Sequence, residues 1–333
     1  MATEARPLVG IRNRRVALTV ALAALVAAAA VVGVTLLQTH GEHTTVPGAV
    51  IKPRAGNPPV FFDFGVRDDR QAQDLSRAAE LLNARHVAAA RAIFEHYHSL
   101  QARIGLAFAN WPGGNGLDTL QTLAATNPGS PVAAYHLGWA YYWSGRVADA
   151  VAAWKRVDKR FPDSPESVEA ENQLYPADQP GLPDLVLPVT LPRERSRAAQ
   201  LRVLEAAARK PDAEAKLRYG DFLWQLWRRV SAERQFAAAA RLAPNDPYAR
   251  TAAAVALFSK RAPARAFAKL GPLTAVFPHA PVVRFELGLL LIANAQPGKG
   301  LAQLRFAAAE APRSSYAKAV RALLSRIGNH GTK

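Results

Sequence analysis

The stretch that decides the fold is residues 131–164, PVAAYHLGWAYYWSGRVADAVAAWKRVDKRFPDS. Small residues stand at Gly138 and Ala150, and a bulky residue stands at Trp154. Small residues let two helix backbones approach closely, and a bulky neighbour fills the gap that remains. Pro162 closes the stretch, and proline cannot continue a helix. The stretch therefore predicts a pair of closely packed helices that ends at this proline.

The same arrangement returns along the chain with a step of 34 residues. Prolines at this step are Pro128 and Pro162, and then Pro244, Pro278 and Pro312. Phe236, Leu270 and Leu304 keep the same spacing, and Gly220 and Gly288 are two steps apart. One helix pair cannot bury its apolar face alone, so neighbouring pairs stack into a continuous core. The chain beyond residue 69 is therefore predicted to be an α-solenoid.

On these positions the chain resembles the tetratricopeptide repeat (TPR) family. Unit 131–164 carries that family's Leu-Gly, Tyr, Ala, Phe and Pro signature at Leu137, Gly138, Tyr141, Ala150, Trp154 and Pro162, with Trp in the place of Phe. Further units are 213–246, 247–280 and 281–314, with a degenerate unit at 97–130 and one more helix pair in 70–100. The resemblance implies an all-α solenoid of helix pairs in which the first helices line the concave face.

The N-terminal residues predict a membrane anchor. Residues 16–37 form a run of 22 without charge, and a helix of that length reaches across a bilayer core. Four arginines stand in the basic tail 1–15, so the positive-inside rule leaves the N-terminus in the cytoplasm. We expect a single-pass protein of the cytoplasmic membrane with an extracytoplasmic TPR domain. A cleaved signal peptide is the competing interpretation, and it exports the domain as well.

The rest of the chain divides into a spacer and two blocks. Residues 38–69 form an extracytoplasmic spacer in which Pro58 to Phe64 are aromatic enough to pack on the first helix. The predicted blocks are 70–162 and 196–327, the second ending in a capping helix, with a tail at 328–333. Between them lies a proline-rich insert, 163–195, which accounts for an excess of 14 residues over two repeat steps. The insert forms either a surface excursion or a lid in which residues 185–191 lie in the groove.

The family resemblance also implies which residues face a partner-binding groove. The positions that point inward in TPR units correspond here to Val132, Tyr135, Trp139, Tyr142, Trp143, Leu217, Asp221, Trp224, Tyr248, Thr251, Val255, Phe258, Phe285 and Leu289. This set lacks the Lys, Asn and Arg of the family's carboxylate-binding groove. It favours an extended peptide, an amphipathic helix or a sugar face as ligand. Alternatively, the aromatic side chains pack against the insert or against one another.

The sequence predicts neither catalysis nor a cofactor. The chain has no cysteine, and no histidine pair has a carboxylate at metal-ligand spacing, so no metal site is expected. The formal net charge of +16 suggests an anionic lipid or wall polymer as a counterpart, although a solvated basic surface or GC-rich coding would also explain it. Nucleic acid is not expected outside the cytoplasm.

Taken together, the sequence predicts a membrane-anchored extracytoplasmic TPR scaffold that holds a protein or peptide partner in an envelope complex. Two alternatives remain. One is a glycan- or cell-wall-binding module that uses Trp139, Trp143 and Trp224. The other is an assembly factor similar to the exported repeat subunits of cytochrome c maturation.

Overall fold

The computed structural model describes residues 52–330, with side chains as far as residue 325. The predicted anchor at 16–37, the basic tail before it and the beginning of the spacer lie outside the described residues. All regular structure between residues 52 and 330 is helical, which confirms the all-α prediction for that part. None of the described helices combines the length and the apolar composition that a membrane crossing requires.

The first block contains three helix pairs followed by a single helix. Its elements are α1 (Arg70–Asn83), α2 (Val87–Glu95), α3 (Leu100–Ala109), a 3-10 turn (Trp111–Gly113), α4 (Gly116–Thr126), α5 (Pro131–Trp143), α6 (Val147–Arg160) and α7 (Pro165–Leu174). Each helix packs on the next one along the chain. The helices of this block therefore stack as a solenoid.

Capping side chains and prolines set the starts of several first helices. Ser130 Oγ accepts a hydrogen bond from the Ala133 N–H at 3.2 Å, and Pro131 is the first residue of α5. Ser164 and Pro165 play the same parts at the start of α7. A capping oxygen satisfies an N–H that has no partner within the helix, and proline in the first turn removes an N–H that would be unpaired anyway.

Helix α7 lies inside the range 163–195 that the sequence predicts as an insert. Its only proline is Pro165 at the first position, where proline is compatible with a helix. Apart from Asp163 and Ser164, the irregular part of the insert is therefore confined to residues 175–195, and the helices of the first block continue as far as Leu174.

The second block follows after this irregular stretch. Its elements are α8 (Arg197–Ala208), α9 (Ala213–Gln225), α10 (Arg229–Leu242), α11 (Pro247–Val255), α12 (Ala264–Leu270), α13 (Leu273–Val276), α14 (Pro281–Ala293), α15 (Pro297–Glu310) and the terminal helix α16 (Ser315–His330). Unit 247–280 departs from the pattern, because Leu257 lies outside any helix and the second helix is split at Gly271-Pro272. Pro272 lacks the N–H that a continuous helix would use there.

The helices within a pair interlock through small and bulky side chains. A Cβ atom at Gly220 would lie 2.6 Å from the Phe236 ring, and one at Gly288 would lie 2.8 Å from Leu304. A Cβ at Gly138 would overlap the Trp154 ring in the same way. These contacts confirm the predicted close approach, and they explain why glycine recurs at this position of the first helix.

Candidate functional site

Residues 54–66, here called the strap, run across the first helices of the first block. The Arg54 backbone N–H donates to the Trp143 carbonyl at 2.8 Å, and Trp143 Nε1 donates to the Gly56 carbonyl at 3.1 Å. The Arg54 guanidinium lies over the Tyr142 ring, 4.2 Å from its centroid. The last turn of α5 therefore holds the beginning of the strap.

Asn57 fastens the strap to the end of α3. Its Nδ2 donates to the carbonyl oxygens of Phe108 and Ala109 at 2.7 and 3.0 Å. The last carbonyls of a helix have no partner within the helix, so they are open to a donor from outside. The Asn57 side chain thus adds a cap to the C-terminal end of α3.

Asn83 at the end of α1 pairs with the strap backbone in both directions. Its Oδ1 accepts from the Val60 N–H at 2.9 Å, and its Nδ2 donates to the Val60 carbonyl at 2.9 Å. Val60 is only 4% exposed. A primary amide that donates and accepts in this way imitates a neighbouring strand, so it recognises extended backbone.

His136 on α5 recognises the next residue of the strap. Its Nε2 accepts from the Phe61 N–H at 3.1 Å, and its Nδ1 is 2.7 Å from the Val132 carbonyl. This pattern requires a neutral ring with the proton on Nδ1. Burial lowers the pKa of His136 to about 4, which keeps the ring neutral.

Two aromatic side chains of the strap pack on opposite sides of this contact. Phe61 lies edge-on to Tyr135, with 6.2 Å between ring centroids, and stacks on Trp227 at 5.9 Å. Phe62 contacts Phe94 and His136 at centroid distances of 6.2 and 5.2 Å. Such pairs add about 1 kcal/mol each to the burial of their surface. The aromatic contacts extend from the first block to the turn before α10.

Trp227 occupies a backbone conformation that usually belongs to glycine. Its φ is +55°, and the equivalent turn between α5 and α6 has Gly145 with φ +79°. Left-handed backbone costs a residue with a side chain about 1 kcal/mol or more. The Trp227 ring packs on Phe61 and also against Gly181, where a Cβ would approach it to 3.2 Å. Trp227 therefore connects the strap with the insert.

The structure brings the predicted groove residues of α5 together at the strap. Tyr135 is buried, and its hydroxyl accepts from Trp139 Nε1 at 2.9 Å. Trp139 also packs edge-on to Trp143 and Tyr142, at centroid distances of 5.9 and 5.6 Å. Val132 is buried in the core of the first block. This aromatic set therefore contacts the chain's own strap, together with neighbouring rings.

The insert makes an equivalent set of contacts in the second block. Trp224 Nε1 on α9 donates to the Pro183 carbonyl at 2.9 Å. The Val186 N–H donates to Glu286 on α14 at 2.8 Å, and the Tyr316 hydroxyl on α16 donates to the Val186 carbonyl at 3.0 Å. The flanking side chains Leu185 and Leu187 are buried. Residues 183–187 thus lie extended against first helices and the terminal helix.

Most of the other predicted groove residues are buried in the second block. Leu217, Asp221, Trp224, Thr251, Val255, Phe258 and Phe285 are buried, whereas Tyr248 and Leu289 are half-buried. Phe285 packs on Tyr316 with 4.9 Å between ring centroids. Trp224 is 4% exposed, so it presents no open ring face to a ligand in this conformation.

A buried ionic cluster joins the two blocks. Arg229 at the start of α10 donates to Glu171 on α7 at 2.8 Å and lies 3.4 Å from Asp158 on α6. The Lys260 backbone N–H donates to the other oxygen of Glu171 at 3.2 Å. Burial lowers the pKa of Lys260 to about 8, although neighbouring carboxylates partly oppose the shift. Removing one member of such a cluster leaves a buried charge without its partner.

A second group of carboxylates lies where the strap meets α7. Burial raises the pKa of Glu166 to about 7, and the nearby Asp63 carboxylate of the strap adds to the shift. Burial also raises the pKa of Asp63. These two groups couple the charge state of α7 to that of the strap.

Within residues 52–330, no three histidine, aspartate or glutamate side chains are grouped closely enough to hold a metal ion. His96 and His98, a histidine pair two residues apart, are both exposed at the end of α2. Sequence reasoning missed the residues that bind extended chain, namely Asn83, His136, Glu286 and Tyr316. His136 and Glu286 had a usable signal, since each is a polar residue within a largely apolar helix.

The stacked helix pairs and the extended segments on their first helices define a helical-repeat protein. Residues 132–164 match the family model of the tetratricopeptide repeat, which identifies α5 and α6 as one such unit. No curated protein matches the chain.

Similar solved structures are helical-repeat proteins as well. One is the yeast Sti1 TPR2AB domain in complex with pHSP90, with 14% identity, 76% of this chain and 96% of that chain covered, and a TM-score of 0.29. Another is a thermophilic TPR protein of Thermus thermophilus, with 15% identity, coverage of 76% and 98%, and a TM-score of 0.25. A third, from Parabacteroides merdae, has 13% identity, coverage of 77% and 97%, and a TM-score of 0.29.

Proposed function

We propose that the protein is a membrane-tethered TPR scaffold that holds a protein partner outside the cytoplasmic membrane through an extended peptide segment. The observation that carries this proposal is the pairing of Asn83 with the Val60 backbone, together with the similar grip on Val186 in the second block. In both blocks, polar side chains on the helices hold a backbone N–H and a carbonyl of an extended segment. Backbone recognition supplies affinity, and the aromatic pockets beside it supply selectivity.

The proposed location of the repeat domain, outside the cytoplasmic membrane, rests on the sequence. The uncharged run 16–37 and the preceding arginines favour an anchor with a cytoplasmic N-terminus. The test is carbonate extraction of membranes combined with protease treatment of intact spheroplasts. We expect the full chain to stay in the membrane fraction and the repeat domain to be cleaved from outside. A chain released by carbonate, or a domain protected in intact spheroplasts, would contradict this part of the proposal.

The partner is tested by site-specific photocrosslinking of the full chain in its own cells. A crosslinking amino acid in place of Tyr142 reports on the strap region, because Tyr142 is half-buried beside Arg54. The same amino acid in place of Phe306, which is 55% exposed on α15, is the control. We expect a discrete crosslinked protein of one molecular mass at Tyr142 and not at Phe306. Only intramolecular products at Tyr142 would count against a partner at this face.

The glycan alternative has less support in the geometry. Trp224 is buried, and the indole N–H groups of Trp139 and Trp143 already donate to Tyr135 and Gly56. A sugar platform needs an open aromatic face with free donors near its rim. Peptide binding requires no rearrangement of these rings, because Trp143 already donates to a backbone carbonyl of the strap.

A further inference from the structure

We propose that the strap is a displaceable ligand, and that the partner segment which replaces it is an extended peptide of the pattern Asn-Pro-Pro-x-Phe-Phe. This inference rests on the proposed function and specifies the peptide that the first block binds. In the strap the pattern is Asn57, Pro58, Pro59, Val60, Phe61 and Phe62.

The contacts define what such a peptide must carry. Asn57 contacts two helix carbonyls, and Phe61 and Phe62 occupy separate aromatic contacts. Val60, which precedes Phe61, is recognised through its backbone by Asn83. Prolines keep a segment extended before it binds, so less conformational entropy is lost on binding. The pattern therefore specifies three side chains and leaves the position of Val60 open to other apolar residues.

The topology permits the strap to leave. Toward the C-terminus it joins α1 through residues 67–69 alone, and on its other side residues 52–55 are exposed. The helix pairs of the first block pack on one another without passing through it. The segment 183–187, in contrast, is held between α7 and α8 at both of its ends. Of the two extended segments, the strap is the one that a competing peptide can replace without breaking helix contacts.

The groups left behind accept a new ligand with the same geometry. Asn83 and His136 lie on helices, so their positions do not depend on the strap. The carbonyls of Phe108 and Ala109 belong to the end of α3. An incoming extended backbone meets the same donors and acceptors, and therefore competes with the strap for them.

The test uses a dye-labelled synthetic peptide, PRAGNPPVFFDFGV, which copies residues 53–66. Its binding to the detergent-solubilised full chain is followed by fluorescence anisotropy. The double variant Phe61→Ala/Phe62→Ala weakens the strap and leaves its binding face unchanged. We expect this variant to bind the peptide at least tenfold more tightly than the unmodified chain, which has its own strap as competitor. Adding Asn83→Ala and His136→Ala should abolish that binding.

Two controls distinguish sequence-specific peptide binding from non-specific binding. A peptide with alanine at the positions of Phe61 and Phe62 should bind none of the variants. Phe306→Ala, on an exposed apolar side chain far along the sequence, should leave peptide binding as in the unmodified chain. Should the double variant lose helical content in circular dichroism, Asn57→Ala replaces it, with a smaller increase in affinity expected.

Three results would overturn the proposal. The first is a folded strap variant that binds the peptide no better than the unmodified chain. The second is equal binding of the alanine-containing peptide. The third is an unmodified chain that is dimeric by light scattering and becomes monomeric when the strap is weakened, because the strap would then serve a second copy. Since the peptide assay needs no cellular partner, it can fail while photocrosslinking still succeeds, and the two proposals are tested separately.

Discussion

Asn83 and Val60 exchange two hydrogen bonds, each 2.9 Å long, across 23 residues of sequence. One amide side chain at the end of α1 thereby satisfies both polar backbone groups of a residue that is 4% exposed. Unpaired backbone groups in such a position are costly. This pair fixes the register of the strap, because no other strap residue is held on both its N–H and its carbonyl in this manner among the described contacts.

Replacing Asn83 by alanine should destabilise the folded domain by about 2 kcal/mol, because the Val60 N–H and carbonyl would remain buried without partners. The measurement is urea unfolding of the full chain in detergent. Asn115→Ala is the matched control, since Asn115 is exposed and its side chain makes no capping bond. A loss equal to that of the control would mean that the pair contributes no stability.

The helices could be predicted from the sequence, but the strap contacts could not. The step of 34 residues and the pairing of Gly138 with Trp154 reflect side chains that must interlock, so they leave a periodic trace. The aromatic composition of Pro58 to Phe64 predicts packing on the first helix, and in the structure Phe61 also contacts α5, while the preceding Asn57 contacts α3. Backbone recognition by Asn83 demands one amide at one place, and a single residue leaves no pattern to detect.

His136 should make stability depend on acidity. Its folded-state pKa is about 4 and its unfolded value is about 6.5, so the unfolded chain binds the proton more readily between these limits. As the pH falls from 6.5 to 4, His136 should therefore cost the folded state up to about 3 kcal/mol. The measurement is the difference in unfolding free energy between pH 7 and pH 4.5. This difference should shrink in His136→Gln and stay unchanged in His279→Gln, which alters an exposed histidine.

Glu166 should affect the pH dependence of stability in the opposite direction to His136. Its folded-state pKa is raised from 4.5 to about 7, so its stabilising contribution is fully present below pH 4.5 and is lost as the pH rises through 7. Over that window the change amounts to about 3 kcal/mol. In Glu166→Gln the chain should lose more stability on acidification than the unmodified protein does. Glu95→Gln, at an exposed carboxylate, serves as control, and identical pH profiles for both variants would refute the assignment.

Arg229 should be the costliest charged residue to remove. Arg229→Ala removes the closest cation from the buried carboxylates of Asp158 and Glu171, and a loss of about 4 kcal/mol is expected. Arg209→Ala breaks an exposed pair with Glu205 and should change stability by less than about 1 kcal/mol. Thermal unfolding measured side by side compares them. Similar shifts in the two variants would show that the cluster between the blocks does not hold them together.

The central claim is that the first block binds its own strap in an extended conformation. Hydrogen–deuterium exchange of the full chain tests it most directly, because exchange reports whether a backbone N–H is engaged. The N–H groups of Val60 and Phe61 donate to Asn83 and His136, so both should exchange slowly. Their protection should disappear in Asn83→Ala/His136→Ala while the amides within α5 stay protected. Exchange of Val60 and Phe61 at the rate of an unstructured peptide in the unmodified chain would contradict the account.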